Sequence, residues 1–180
     1  AAILDATLFR SLERNHRQIQ RRDRVTLTKV IRRCCELKRM VVEKDENESG
    51  LRRILNFGHT IGHAVEHGSR YRLRHGEAVA IGMAAEARLS SVIGSLPRSQ
   101  EERLVRLLAL FGLPTALPTS MASLEHAILR DKKTRNGAVH YTLLKSLGRA
   151  AVGIPLGFAT VRKVLERIGH VRMLVAQELS

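Results

Sequence analysis

His59, His63 and His75 fall in one short stretch of the chain, Asn56-Phe57-Gly58-His59-Thr60-Ile61-Gly62-His63-Ala64-Val65-Glu66, followed by His75-Gly76-Glu77. The four-residue separation of His59 and His63 places both rings on one face of a helix. Imidazole is the commonest protein ligand for a transition metal and the usual proton carrier near neutral pH. The three rings could therefore give an ion three nitrogens, or two with the third moving protons. Glu66 and Glu77 lie close by in sequence. Glu66 reads as a helix-face residue in an ion pair. Glu77 suits an outer partner or a charge at a helix N-terminus at least as well as a ligand. Gly58 and Gly62 precede the two histidines at the same spacing. Two glycines in one helix suggest close approach by a ligand or another chain segment.

Other polar residues converge on this stretch. Lys38 stands on an otherwise apolar helix stripe, and Glu48 and Arg52 bracket the entry to the next element. Arg52, Asn56, His59 and His63 follow at spacings of four, three and four, which predicts one polar stripe on a helix whose other faces are apolar. Downstream, Asp131-Lys132-Lys133 adds cationic donors. Imidazoles suit a metal, an amide suits hydroxyl groups, and Arg or Lys suits phosphate or carboxylate. The ligand implied is polyhydroxylated and anionic.

The elements that carry these residues are mainly helical. A first helix is expected over 5–19, with Leu8, Leu12 and Ile19 on one side. A second is expected over Arg24–Lys44, with a stripe of Val30, Ile31, Cys34, Leu37, Lys38, Val41 and Val42. The polar run 45–50, ending in Gly50, reads as a connection. The histidine helix is expected over 51–66, and 68–74 as a short loop. The Ala- and Gly-rich stretch 75–93 suits tight helix–helix packing, and Gly94 and Pro97 end it. Further helices are expected over 99–111, 123–129 and 160–179. Gly112, Pro114 and Pro118 mark a turn-rich linker. Residues 139–144 and 150–154 form a candidate β-hairpin. The fold class expected is therefore mainly α, a single helical domain over 1–180 with a small hairpin near 139–154. No GxGxxG fingerprint follows a strand, so no dinucleotide-binding fold is expected within the chain.

Composition narrows the classes further. With 180 residues and 44% hydrophobic content, the chain can bury a proper core. At 3% aromatic and no Trp, that core must be Leu, Ile, Val and Ala. No apolar run approaches the roughly 20 residues of a membrane span, and the first residues lack the pattern of a signal peptide. The adjacent Cys34 and Cys35 fit neither a disulfide framework nor a metal knuckle, and are expected to be small buried residues of a reducing compartment. The net charge is +14, from 31 Lys plus Arg against 17 Asp plus Glu. Such a balance suits nucleic acid, a membrane surface or phosphorylated substrates. The near absence of stacking aromatics in the basic segments disfavours single-stranded nucleic acid. Basic residues interleaved with apolar periodicity read instead as solvated helix faces.

From Lys38 through Met83 the chain resembles the 3-dehydroquinate synthase family. The residues that carry the resemblance are Lys38, Val41-Val42, Asp45-Glu46-Asn47-Glu48-Ser49-Gly50-Leu51-Arg52, Leu55 through Glu66, and His75-Gly76-Glu77-Ala78-Val79-Ala80-Ile81-Gly82-Met83. Asp131-Lys132-Lys133 is a further match. The resemblance covers only the C-terminal helical half of the family. It implies a carbon–oxygen lyase of the shikimate pathway that uses NAD and a divalent metal, zinc or cobalt. That enzyme converts 3-deoxy-D-arabino-heptulosonate 7-phosphate into 3-dehydroquinate and phosphate by transient oxidation, phosphate elimination, reduction, ring opening and aldol closure. By position it implies His59 and His75 as metal ligands, His63 as a proton-transfer group and Glu48 as an acid/base residue. It implies Lys38, Arg52, Asn56 and one of Lys132 or Lys133 as substrate contacts. The third metal ligand of the family, a glutamate, lies upstream of the position matching Ala1, as does the NAD-binding domain. A cytoplasmic homodimer acting on a small sugar acid phosphate is expected, and the isolated chain is expected to be inactive. Other sugar-phosphate cyclases, such as 2-deoxy-scyllo-inosose or valiolone-type synthases, remain alternatives. A basic helical nucleic-acid-binding module is the alternative from another class.

Overall fold

The computed structural model describes residues 1–118, 121–130, 134–135 and 138–166. Helix α1 spans Ala6–Arg14 and is capped by Asp5, whose carboxylate accepts from the Leu8 N–H at 2.8 Å. It ends at Asn15, which bonds back to the Ser11 carbonyl and opens the short α2, His16–Gln20. The single helix expected over 5–19 is thus two. Asn15 competes for backbone bonds with its side chain, as Asn does at helix ends. Helix α3, Arg24–Lys44, starts under an Asp23 cap on the Thr26 N–H.

After α3 the chain forms a 3-10 turn, Leu51–Asn56, then α4, His59–Gly68, and α5, His75–Val92. Helices α6, Arg98–Leu110, and α7, Met121–Arg130, follow. The strands are β1, Thr134–Arg135, β2, Ala138–Ser146, and β3, Arg149–Gly157, in one antiparallel sheet of order β1-β2-β3. The hairpin expected near 139–154 is the β2–β3 pair, with Tyr141 opposite Ile154 and Leu144 opposite Ala150. Residues 158–166 are helical. The rest of the helix expected over 160–179 lies outside the described residues.

Helix α5 lies between two apolar clusters. On one side Ala78, Ile81, Ala85 and Leu89 pack with Ile61 and Val65 of α4, Leu124 and Ile128 of α7, and Tyr141 and Leu143 of β2. On the other, Ala80, Ala84 and Ala87 pack with Phe9, Phe57, Leu104, Leu108 and Leu144. A helix buried on most of its circumference is apolar all round, which is why its sequence is Ala and Gly rather than an amphipathic alternation. Gly82 lets α4 come very close. A Cβ there would overlap the Gly58 carbonyl oxygen and stand 2.7 Å from the Gly62 nitrogen.

Two expectations about α3 need correction. Cys34 and Cys35 are exposed, not buried. The apolar stripe is buried only toward its C-terminal end, at Leu37 and Val41, while Ile31 is 58% exposed. The helix meets the rest of the molecule at the 3-10 turn and, more lightly, at α2 and through the Arg33–Asp5 ion pair, so much of its earlier stripe is left exposed or half-buried. None of the described helices is long and apolar enough to cross a membrane.

Candidate metal and substrate site

The loop between α3 and α4 is organised by one carboxylate. Asp45 accepts from the backbone N–H groups of Ser49, Gly50 and Arg52, all within 2.9 Å, and from the Ser49 hydroxyl. The Arg52 N–H, then those of Gly50 and Ser49, hold its carboxyl down at about 2, against an ordinary 3.8. This turn sets the direction of the residues around it. Glu48 adopts a left-handed φ of 53° and accepts from the Asn56 amide at 2.8 Å. The Arg52 guanidinium donates to the Glu46 carbonyl at 2.8 Å. Lys38 is exposed on α3 and makes no hydrogen bond or ion pair among the described residues.

The continuous polar stripe expected from Arg52 to His63 does not exist as one helix. The 3-10 turn ends at Asn56, and Gly58 at φ +83° reverses the path before α4 begins at His59. A left-handed N-cap is natural for glycine. A Cβ at Gly58 would stand 2.9 Å from both the Met83 nitrogen and the Val79 oxygen. Helix packing against α5, which local periodicity does not report, breaks the stripe.

The three histidines do converge, although His75 comes from a different helix. Ring centroids are 5.6 Å apart for His59 and His63, 5.6 Å for His59 and His75, and 6.0 Å for His63 and His75. Zn–N bonds of about 2.0–2.1 Å, added to the imidazole radius, put two rings on one tetrahedral ion about 5 Å apart, centroid to centroid. The observed separations need only small rotations to meet that. His63, Glu66 and His75 also offer one ligand atom each within 4.8 Å of one another. Three imidazoles and a carboxylate suit zinc or cobalt by ligand type.

Hydrogen bonds distinguish the rings. The His59 Nδ1 lies 3.3 Å from the Phe57 carbonyl, which can only accept, so this contact favours a proton on Nδ1. The His75 Nδ1 lies 3.1 Å from the Glu66 carboxylate, which favours the same tautomer. An acceptor oxygen held behind the ring in this way is typical of metal-ligating histidine. His63 makes no hydrogen bond or ion pair among the described residues and is exposed. Glu77 is engaged elsewhere: its carboxylate accepts from the Arg74 N–H at 2.9 Å and caps α5. Lys132 and Lys133 lie outside the described residues.

Two contributors escape a reading by motif. Asp45 sits in the matched string, yet its work is done through backbone bonds that spacing does not announce. Glu86, buried in α5, accepts from the Gly58 and Ile61 N–H groups. Its signal in the sequence is a carboxylate set between Ala85 and Ala87 in an otherwise apolar stretch.

Fold and site define a helical domain whose polar face carries a metal-competent histidine cluster. The chain matches the model of the 3-dehydroquinate synthase C-terminal domain over residues 1–134. It is 42% identical over 166 residues to the 3-dehydroquinate synthase of Thermodesulfovibrio yellowstonii, covering 91% of this chain and 46% of that protein. It is 44% identical over 162 residues to that of Geobacter metallireducens, covering 89% and 43%. Among solved structures, 2-epi-5-epi-valiolone synthase from Streptomyces hygroscopicus, with NAD+ and Zn2+ bound, superposes with a TM-score of 0.84 at 26% identity, over 94% of this chain and 48% of that one. A 2-deoxy-scyllo-inosose synthase complexed with carbaglucose-6-phosphate, NAD+ and Co2+ gives 0.69 at 26% identity, over 76% and 40%. The chain belongs to the 3-dehydroquinate synthase family and corresponds to its C-terminal domain. It spans under half the length of these curated relatives.

Proposed function

We propose that this chain is the metal- and substrate-binding half of a 3-dehydroquinate synthase whose NAD-binding domain precedes it. The whole protein would convert 3-deoxy-D-arabino-heptulosonate 7-phosphate into 3-dehydroquinate and phosphate, as a cytoplasmic homodimer. The observation that carries this reading is the convergence of His59 and His75, each with Nδ1 against an acceptor oxygen, from two separate helices. His59 and His75 would hold zinc or cobalt through Nε2, with a third ligand from the preceding domain. The bound ion supplies Lewis-acid polarisation of a substrate hydroxyl.

The chain's own residues do the rest. Glu66 keeps His75 in the correct tautomer and orientation. His63, exposed beside the two ligand rings, takes up and returns protons at an imidazole nitrogen. Glu48 acts as an acid/base group, and its hydrogen bond to Asn56 sets its direction. Arg52, Lys38 and one of Lys132 or Lys133 pair with the carboxylate and phosphate of the substrate, and Asn56 with its hydroxyls. Identity of 42–44% to dehydroquinate synthases, against 26% to the other cyclases, favours this substrate over theirs.

The test joins the chain to its NAD-binding domain and follows phosphate release from the heptulosonate phosphate with NAD and a divalent metal. Metal-dependent release is expected. An inert heptulosonate phosphate alongside turnover of a different sugar phosphate would reassign the protein within the cyclases.

A further inference from the structure

Glu86 lies in the middle of α5 with 0% of its surface exposed. A buried carboxylate is costly unless it is hydrogen-bonded. Here it accepts from the Gly58 N–H at 2.6 Å and the Ile61 N–H at 3.4 Å. Gly58 is the N-cap of α4, and Ile61 lies in its first turn. A helix usually receives this bond from the side chain of its own N-cap residue, commonly Ser, Thr, Asp or Asn. Gly58 has no side chain to offer, and its left-handed φ and its approach to Met83 and Val79 exclude one. The cap of α4 therefore comes from another helix, where a negative charge also meets the positive end of the helix dipole.

His59 is the first residue after that cap. We propose that Glu86 is a positioning residue for the metal site, clamping the start of α4 so that the His59 ring faces His75. The inference rests on the metal-site reading above. Helix α5 opens with His75 and carries Glu86 about three turns later, so one rigid element fixes both rings: His75 directly, His59 through the clamp. The clamp is itself anchored. The Ser90 hydroxyl donates to the Glu86 carbonyl at 2.6 Å and accepts from the Leu144 N–H at 3.0 Å, which ties this part of α5 to β2.

The test uses the 180-residue chain without metal, then with Co2+. Nuclear Overhauser cross-peaks between His59 and His75 ring protons report the 5.6 Å approach. In the unmodified chain these cross-peaks should be present. Glu86→Ala should remove them while core methyl shifts persist, and should raise the Co2+ dissociation constant about tenfold or more, the usual scale for losing an outer partner. Glu86→Gln keeps one acceptor and should fall between; it is read on the same measures if Glu86→Ala does not fold. A folded variant with lower thermal stability but unchanged ring cross-peaks and Co2+ affinity would overturn the proposal. So would absent cross-peaks in the unmodified chain. If the cross-peaks behave as expected but neither the parent chain nor the protein that includes the preceding domain binds Co2+, the metal reading fails and the ring-positioning role stands.

Discussion

Gly82→Ala is a demanding test of how the site is held. The added Cβ would overlap the Gly58 carbonyl oxygen and stand 2.7 Å from the Gly62 nitrogen, both backbone atoms of or beside α4. Restoring an ordinary contact of 3.4 Å to the nitrogen alone needs about 0.7 Å of separation between α4 and α5, and the oxygen needs more. No flexible side chain can absorb this, so the helices must part or slide. Overpacking of this kind costs roughly 1–3 kcal/mol, against about 1 kcal/mol gained from the better helix propensity of Ala. Because both clashing atoms are backbone, the cost sits at the top of that range, and the resulting net loss of about 2 kcal/mol should lower the melting temperature by about 4–8 °C in a chain of this size. The same movement carries His59 away from His75, so Co2+ affinity should fall as well. Gly62→Ala makes a useful control on the facing helix. Its nearest contacts would be 3.2 Å, to the Ala78 oxygen and the Val79 Cα, so it should stay within about 1 kcal/mol of the parent. Calorimetric melting of the three chains decides the matter. A Gly82→Ala chain that melts with or above the parent would refute the close approach of α4 and α5.

Three other outcomes are expected. Because folding lowers the Asp45 carboxyl from 3.8 to about 2, its contribution to the 45–52 loop is complete above the ordinary value and is lost as pH falls through about 2. Amide exchange at Ser49, Gly50 and Arg52 should accelerate across that window, and Asp45→Asn should exchange fast at every pH. The 180-residue chain alone should release no phosphate and bind Co2+ more weakly than the protein that includes the preceding domain, as calorimetric titration of both would show. In that larger protein, Arg52→Ala should chiefly raise KM, and His63→Ala should chiefly lower kcat, because charge pairing acts in the ground state and proton transfer in the transition state. Steady-state kinetics in which His63→Ala keeps full turnover would remove it from the proton-transfer role.

Helical periodicity locates the long elements because it reports which face a helix buries. Helix α3 was legible to the residue, and α5 and α6 to within one residue at their ends. The failures have a common cause, which is a partner distant in sequence. The helix expected over 51–66 breaks at Gly58 because α5 lies against that point. The exposure of Cys34 and Cys35 follows from what α3 fails to meet, which its own stripe cannot show. The histidines were legible as a set by residue type and spacing, but the convergence of His75 with the other two depends on α4 and α5 packing at their glycines. That dependence unites the site. Gly58 must be left-handed to start α4 beside Met83, and Gly82 must lack a side chain to admit its carbonyl. Having no side chain of its own to cap the helix, Gly58 passes that task to Glu86. The spacing of Gly58, Gly62 and Gly82 is therefore as much a part of the candidate site as the histidines: it sets the distance between the helices, and the carboxylate between Ala85 and Ala87 completes the join.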